Sequence, residues 1–279
     1  MENEFTKANS LLFTLLIITM PQLWSQEVSR DTTFIPRVGQ DGKDVIWVPS
    51  PNELVAKMLD VADVNENDFL IDLGSGDGRT VIAAARLGAR ALGIEYNPEM
   101  VQLSRKKAED AGLSGRAAFI QADLFEYDLS EATVITMFLL PEINLKLRPE
   151  LLDLKPGTRI VSNTFTMGSW EPDFEVTTDS NWNSWYTALM WIVPAKVEGR
   201  WKLDDSELDI HQEFQMFFGT CIKGKEMQRI TGGRITGYKL SFLIGDVSYN
   251  GLADNTDSMS GRCSLNGKQV EWHATRIKD

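Results

Sequence analysis

From Phe69 to Phe165 short apolar runs alternate with stretches of helical period. The runs are FLIDL (69–73), ALGIE (91–95), AAFIQ (117–121), TVITMFLL (133–140) and TRIVSNTF (158–165). Between them lie RTVIAAARLG, PEMVQLSRKKAEDAG and a segment around INLKLRPELLDL. A further helix is expected before the first run. Ser50 reads as its N-cap, Pro51 as its first residue and Glu53 as the capping-box partner, with Leu54, Val55, Met58, Leu59 and Ala62 on one apolar face. This alternation predicts an α/β fold, a doubly wound, mostly parallel, Rossmann-like sheet covered by helices. The pattern changes near Trp182. TALMWIVPAKV reads as a strand with no helix behind it, and residues 196–279 read as a small C-terminal antiparallel all-β module, barrel-like or a sandwich. Turns are expected there at Gly232-Gly233, Gly245-Asp246 and Asn266-Gly267.

Upstream of the α/β region, Leu11–Met20 (LLFTLLIITM) is too short to span a bilayer comfortably but suits the apolar region of a signal peptide. Residues 1–25 are therefore expected to be a signal peptide or N-terminal anchor, 26–46 a polar linker and 47–195 the main domain. Export to the periplasm or medium is the expected location, with a membrane-anchored or cytoplasmic protein as the alternatives. Membrane contact is expected only through residues 8–24. The net charge of −12 argues against a nucleic-acid partner, which needs a cationic footprint. Cys221 and Cys263 pair in an oxidising compartment or stay reduced in the cytosol, and spacing does not choose between these. No Cys/His cluster has metal-ligand spacing, and His211 and His273 read as surface or packing residues.

The chemistry concentrates where the first apolar run ends, in DLGSGDGR (72–79). A phosphate-binding loop of the Walker type ends in Gly-Lys-Ser/Thr, which is absent. A dinucleotide fingerprint places its third glycine five positions after the first, where Arg79 stands. Asp72 would also face two phosphate charges at close range. S-adenosylmethionine (SAM) has no phosphate, and its methionyl ammonium and sulfonium suit an acid. Gly74, Ser75, Gly76 and Gly78 would let the backbone approach it closely. Glu95, ending the second run, is placed to accept both ribose hydroxyls, and Asp123, after the third, to accept from the adenine amino group.

These residues resemble class I SAM-dependent methyltransferases. The series WVPSP (47–51), DLGSGDGR (72–79), GIEYNPEMV (93–101), MFLLPEIN (137–144) and GTRIVSNTFTMGSWEPD (157–173) is similar to one subfamily of these. It comprises bacterial methyltransferases and the mitochondrial protein-lysine methyltransferases that modify ATP synthase subunit c and the adenine nucleotide translocase. The resemblance implies SAM as cofactor and methyl transfer to an acceptor amine, a protein lysine or a small amine. By position and by that likeness Glu142, after Pro141, is the candidate for orienting the acceptor, and capping of the following helix explains it equally well. Trp47, Pro49, Ser50 and Pro141 are expected along the cofactor or acceptor path. Trp170, Trp182, Trp185 and Tyr186 are candidates for an amine channel or for packing. Two other functions stay open from the residues alone: a SAM-fold binding protein without catalysis in an exported compartment, and an NAD(P)-dependent oxidoreductase.

Overall fold

The computed structural model describes residues 34–278 apart from 179–184, 255 and 266. The signal-like segment, residues 26–33 of the expected linker and Trp182 lie outside the described residues.

The α/β region begins with α1 (Asn52–Val61), whose Leu54, Val55, Met58 and Leu59 are buried as their helical spacing dictates. It then runs β1 (Phe69–Leu73), α2 (Arg79–Arg86), β2 (Arg90–Glu95), α3 (Pro98–Asp110), β3 (Ala117–Gln121), β4 (Val134–Met137), α4 (Pro141–Leu152) and β5 (Arg159–Asn163). Two further strands, β6 (Phe174–Thr177) and β7 (Thr187–Ile192), complete a seven-stranded sheet of order β3-β2-β1-β4-β5-β7-β6. All neighbours pair in parallel except β7, which is antiparallel to both β5 and β6. Strand order reverses between β1 and β4, so the crevice beyond their carboxyl ends is where such a sheet offers a ligand site.

Three local expectations are corrected. Helix α1 starts at Asn52 with Pro51 as N-cap and no side-chain cap bond. The extended backbone of Pro51 (φ −57°, ψ 141°) delays the helix, and Ser50 turns inward so that Oγ accepts from Asn163 Nδ2 at 2.9 Å. The apolar run 133–140 is a strand only over Val134–Met137. Pro141 opens α4 and holds Leu140 extended, so Phe138 to Leu140 leave the sheet. Gly232 and Gly233 do not make a turn, as described with the barrel below.

The C-terminal region is an eight-stranded antiparallel barrel. Its strands are β8 (Gly199–Leu203), β9 (Ser206–Glu213), β10 (Met216–Lys223), β11 (Glu226–Thr236), β12 (Lys239–Ile244), β13 (Val247–Ala253), β14 (Ser258–Leu265) and β15 (Lys268–Arg276). Each pairs with its successor, and β15 closes onto β8, which leaves no free edge. Alternation fills the interior with apolar side chains, among them Trp201, Leu208, Ile210, Phe217, Phe242 and Trp272. Gly232 and Gly233 form a bulge within β11, where the pairing register shifts between Thr231 and Arg234. The extra residue lets both Ile230 and Ile235 face inward, and a side chain at Gly233 would collide with the Phe217 carbonyl.

The barrel meets the sheet at the amino end of β5. Ala195 N donates to Gly237 O, the Gly237 turn packs against Gly157, and Lys196 pairs with Asp153. The tip of the β9–β10 hairpin makes a second contact. There Phe214 stacks on Trp170 (6.0 Å, 14°), and Gln215 Nε2 donates to Glu171 O at 2.8 Å. Beside it, Arg234 pairs with the buried Asp173 at 2.7 Å.

Candidate active site

A cavity opens at the carboxyl ends of β1 and β4, where the strand order reverses. Its walls come from the glycine turn, Glu95–Asn97, Ala122–Leu124, Met137–Leu139, Ile143 and the segment 40–50. No barrel residue lines it among the described residues. Residues 40–46, which composition reads as linker, are thus part of the wall.

The turn after β1 needs its glycines. Gly74, Gly76 and Gly78 have φ of 75°, 51° and 78°, a left-handed region costly for any residue with a Cβ. Their neighbours differ. A Cβ on Gly78 would stand 2.8 Å from Phe119 and Ser104, so this glycine lets α2 close on the sheet. A Cβ on Gly76 would stand 2.5 Å from Trp47 Nε1, which places the indole of Trp47 directly over the turn. Ser75 is buried and its N–H, like that of Gly74, donates to Ile94 O at 2.9 Å.

Asp72 is 6% exposed, and Thr136 Oγ1 donates to its Oδ1 at 2.7 Å. Burial, against that bond and with added repulsion from Glu95 and Asp77, pushes its carboxyl up to about 7. A buried acid whose hydrogen bond comes from a neutral hydroxyl is a ready counter-charge for a cationic ligand. Glu95 Oε2 accepts from Gly76 N and Oε1 from Asn97 N, both at 2.9 Å. Each oxygen keeps a lone pair beyond that bond. Asp123 holds Phe125 N through Oδ1 (3.0 Å) and Lys43 Nζ through Oδ2. The Lys43 bond, with help from the Phe125 amide, holds the Asp123 carboxyl below the usual range.

Arg79, whose position breaks the dinucleotide pattern, has a structural task. Its Nε and one terminal nitrogen donate to Asp77 at 2.9 Å, and the other terminal nitrogen donates to Ser50 O at 2.7 Å. Burial pushes the Asp77 carboxyl up, but hydrogen bonds from Arg79 and Lys107 outweigh that and hold it below its ordinary value. Arg79 therefore ties the glycine turn to the segment carrying Trp47, Pro49 and Ser50, all three of which line the cavity.

Neither Pro141 nor Glu142 is among the lining residues, although Phe138, Leu139 and Ile143 around them are. Glu142 is exposed in the first turn of α4, where an acid complements the helix dipole. Of the three aromatic candidates among the described residues, Trp185 alone approaches the site, meeting Phe138 edge-on at 5.8 Å. Phe138 also stacks on Phe165 (5.9 Å, 18°). The turn that carries Phe165 includes Thr164 at φ 63°, a strained conformation of the kind that gathers at functional sites. Trp170 is fully buried between Trp191 and Phe214, and Tyr186 is 42% exposed. His211 and His273 lie on the barrel surface, and Cys221 and Cys263 are buried free thiols. Lys43, Tyr96 and Phe138 carry no signal of a site role in the sequence; for Lys43 no local pattern signals a contact 80 positions away.

Comparison with known proteins agrees with this geometry. The family model for the ANTKMT methyltransferase domain matches residues 72–174, which ends before the barrel. A protein-lysine N-methyltransferase of Saccharolobus islandicus is 41% identical over 152 residues, 53% of this chain and 94% of the relative. The adenine nucleotide translocase lysine N-methyltransferase of Mus musculus is 39% identical over 37% of this chain, and the match spans 46% of that protein. Among solved structures, an RNA methyltransferase from Salinibacter ruber, in complex with S-adenosyl-L-homocysteine, is 50% identical. It aligns with a TM-score of 0.51 over 54% of this chain and 96% of its own. The reversed strand order, the glycine turn, the buried acid Asp72 and these relatives lead to one assignment: the chain belongs to the class I SAM-dependent methyltransferases and is an enzyme that uses SAM as its cofactor.

Proposed function

We propose that this methyltransferase modifies an amine of a protein lysine and holds SAM through Asp72, Glu95 and Asp123. Asp72 attracts the methionyl ammonium from beneath the glycine turn. Glu95 accepts the two ribose hydroxyls on the lone pairs that Gly76 and Asn97 leave over. Asp123 accepts from the adenine amino group beside Lys43. Gly74, Ser75, Gly76 and Gly78 bring backbone rather than side chains against the methionyl and ribose parts.

Bound SAM supplies a methyl group already activated on sulfonium. The protein's share is to bring a neutral amine in line with it and to keep water out. The observation that carries the lysine reading is Phe138, in the cavity wall and backed by Phe165 and Trp185. An aromatic wall accommodates the apolar stem and cationic head of an arriving lysine, and desolvation against it favours the neutral amine. The relative from Saccharolobus islandicus is named for protein lysine and the one from Salinibacter ruber for RNA. The net charge of −12 supports the first, since RNA binding relies on phosphate neutralisation.

Incubation with methyl-labelled SAM and separate protein and RNA fractions of the source cell tests this. Label is expected in protein, at lysine by peptide mapping, and weakly with Phe138→Ala; label confined to RNA overturns it. For Glu142, lost turnover with unchanged SAM affinity in Glu142→Gln would assign it to the acceptor. Unchanged turnover leaves it as a helix-end acid.

A further inference from the structure

Segment 39–50 is built as a hinge, a pad and a latch over the cavity. The hinge is Ser50, buried and held twice: its carbonyl accepts from Arg79 and its hydroxyl from Asn163. The pad is Trp47, whose indole lies over Gly76. Between Gln40 and Trp47 the chain makes a loop whose ends are joined, Gly39 N donating to Trp47 O (2.8 Å) and Trp47 N to Gln40 O (2.9 Å). The loop crosses to the far rim, where Lys43 meets the carboxylate of Asp123 and lies 5.2 Å from the centre of the Tyr96 ring. Asp41 to Asp44 are exposed. The loop's grip on the far rim is thus a solvent-facing ion pair, whereas its root is buried and doubly hydrogen-bonded.

We propose that the Lys43–Asp123 pair is a latch that sets the rate of cofactor exchange, with Trp47 closing on the glycine turn when the latch holds. The proposal rests on the assignment of this cavity to SAM. A ligand gripped by Asp72 at one end and Asp123 at the other lies under residues 40–47, so both entry and exit require the loop to lift. The hinge at Ser50 stays in place while the exposed latch opens. A single surface ion pair is weak and screened by salt, as suits a contact broken in every catalytic cycle. Lys43 is thereby a positioning residue acting through the loop, not a catalytic one.

The full chain is tested by surface plasmon resonance with S-adenosylhomocysteine as the probe, comparing wild type, Lys43→Ala and Lys43→Arg. Lys43→Ala is expected to raise association and dissociation rates together, about threefold to fivefold, so that Kd moves less than either rate. Lys43→Arg should keep slow exchange. Rising salt should speed exchange in wild type and hardly change it in Lys43→Ala. Rates in Lys43→Ala equal to wild type overturn the latch while leaving the cofactor site intact. A faster dissociation alone also overturns it, because it makes Lys43 a direct ligand contact. Failure of wild type to bind the probe overturns the cofactor site and the latch together.

Discussion

Asp72 shows how a single buried side chain couples the site to pH. Its folded carboxyl is pushed up to about 7 by burial, far above its ordinary value. Between the ordinary carboxylate range and 7 the folded chain therefore binds a proton that the unfolded chain does not. That contribution to stability is fully present at low pH and is lost as pH rises through 7. Cofactor binding runs the other way, since a cation prefers the carboxylate. SAM affinity is expected to be full above about 7 and to fall as pH drops below it, by at most about tenfold per unit. Isothermal titration from pH 5.5 to 8 measures this, and Asp72→Asn should give weaker, nearly pH-independent binding; an unchanged slope in that variant removes Asp72 from the cofactor. Glu95→Ala is expected to weaken SAM binding about a hundredfold through loss of two charge-assisted hydrogen bonds. Normal affinity in that variant would show the ribose contact to be wrong. Gly76→Ala meets a positive φ and the Trp47 indole at once. Backbone strain alone is worth about 1–2 kcal/mol there, readable as a lower thermal midpoint.

At the scale of elements, what the sequence discloses is what is local. The helices and strands around the glycine turn follow hydrophobic period, and Asp72, Glu95 and Asp123 each sit at or beside a strand end, where polarity changes. No hydrophobic pattern marks β6, because Phe174–Thr177 has only one partly buried residue and pairs only with β7 at the sheet margin. Gly232-Gly233 suits a bulge as well as a turn, because both draw on the same residue type. The pairing of Lys43 with Asp123, and of Arg234 with Asp173, depends on how distant segments meet. Phe214 belongs with these. At φ 53° it occupies a conformation that disfavours a bulky residue, yet its ring stacks on Trp170 and lies under Arg148 at 5.3 Å. Burial of that ring offsets the strain. Phe214→Gly should therefore relieve the backbone but lose the ring, a net destabilisation of about 1–3 kcal/mol by chemical denaturation. A variant as stable as wild type would mean the hairpin tip contributes nothing to docking.

For the molecule as a whole, the barrel and the candidate cavity stand at opposite ends of the sheet: the barrel meets the amino end of β5, and the cavity lies at the carboxyl ends of β1 and β4. The two parts communicate through the hairpin tip, the Arg234–Asp173 pair and the links around Ala195. Asp173 is buried at that junction; burial pushes its carboxyl up, against the pull of Ile192 N and Arg234. Removing Arg234 leaves that acid without its cation, which makes the junction costly to keep closed. A ligand that binds only one folded part stabilises only what unfolds with it, by about 2.7 kcal/mol at a hundredfold excess over Kd. Wild type is accordingly expected to show one calorimetric transition that SAM moves upward as a whole. In a Phe214→Ala/Arg234→Ala double variant the transition should split, and SAM should move only the component of the α/β region. If SAM shifts both components of the split transition, the barrel contributes to cofactor binding after all. If the variant still unfolds in one step, cooperativity runs through the covalent link and the Ala195–Gly237 contact instead of the hairpin tip.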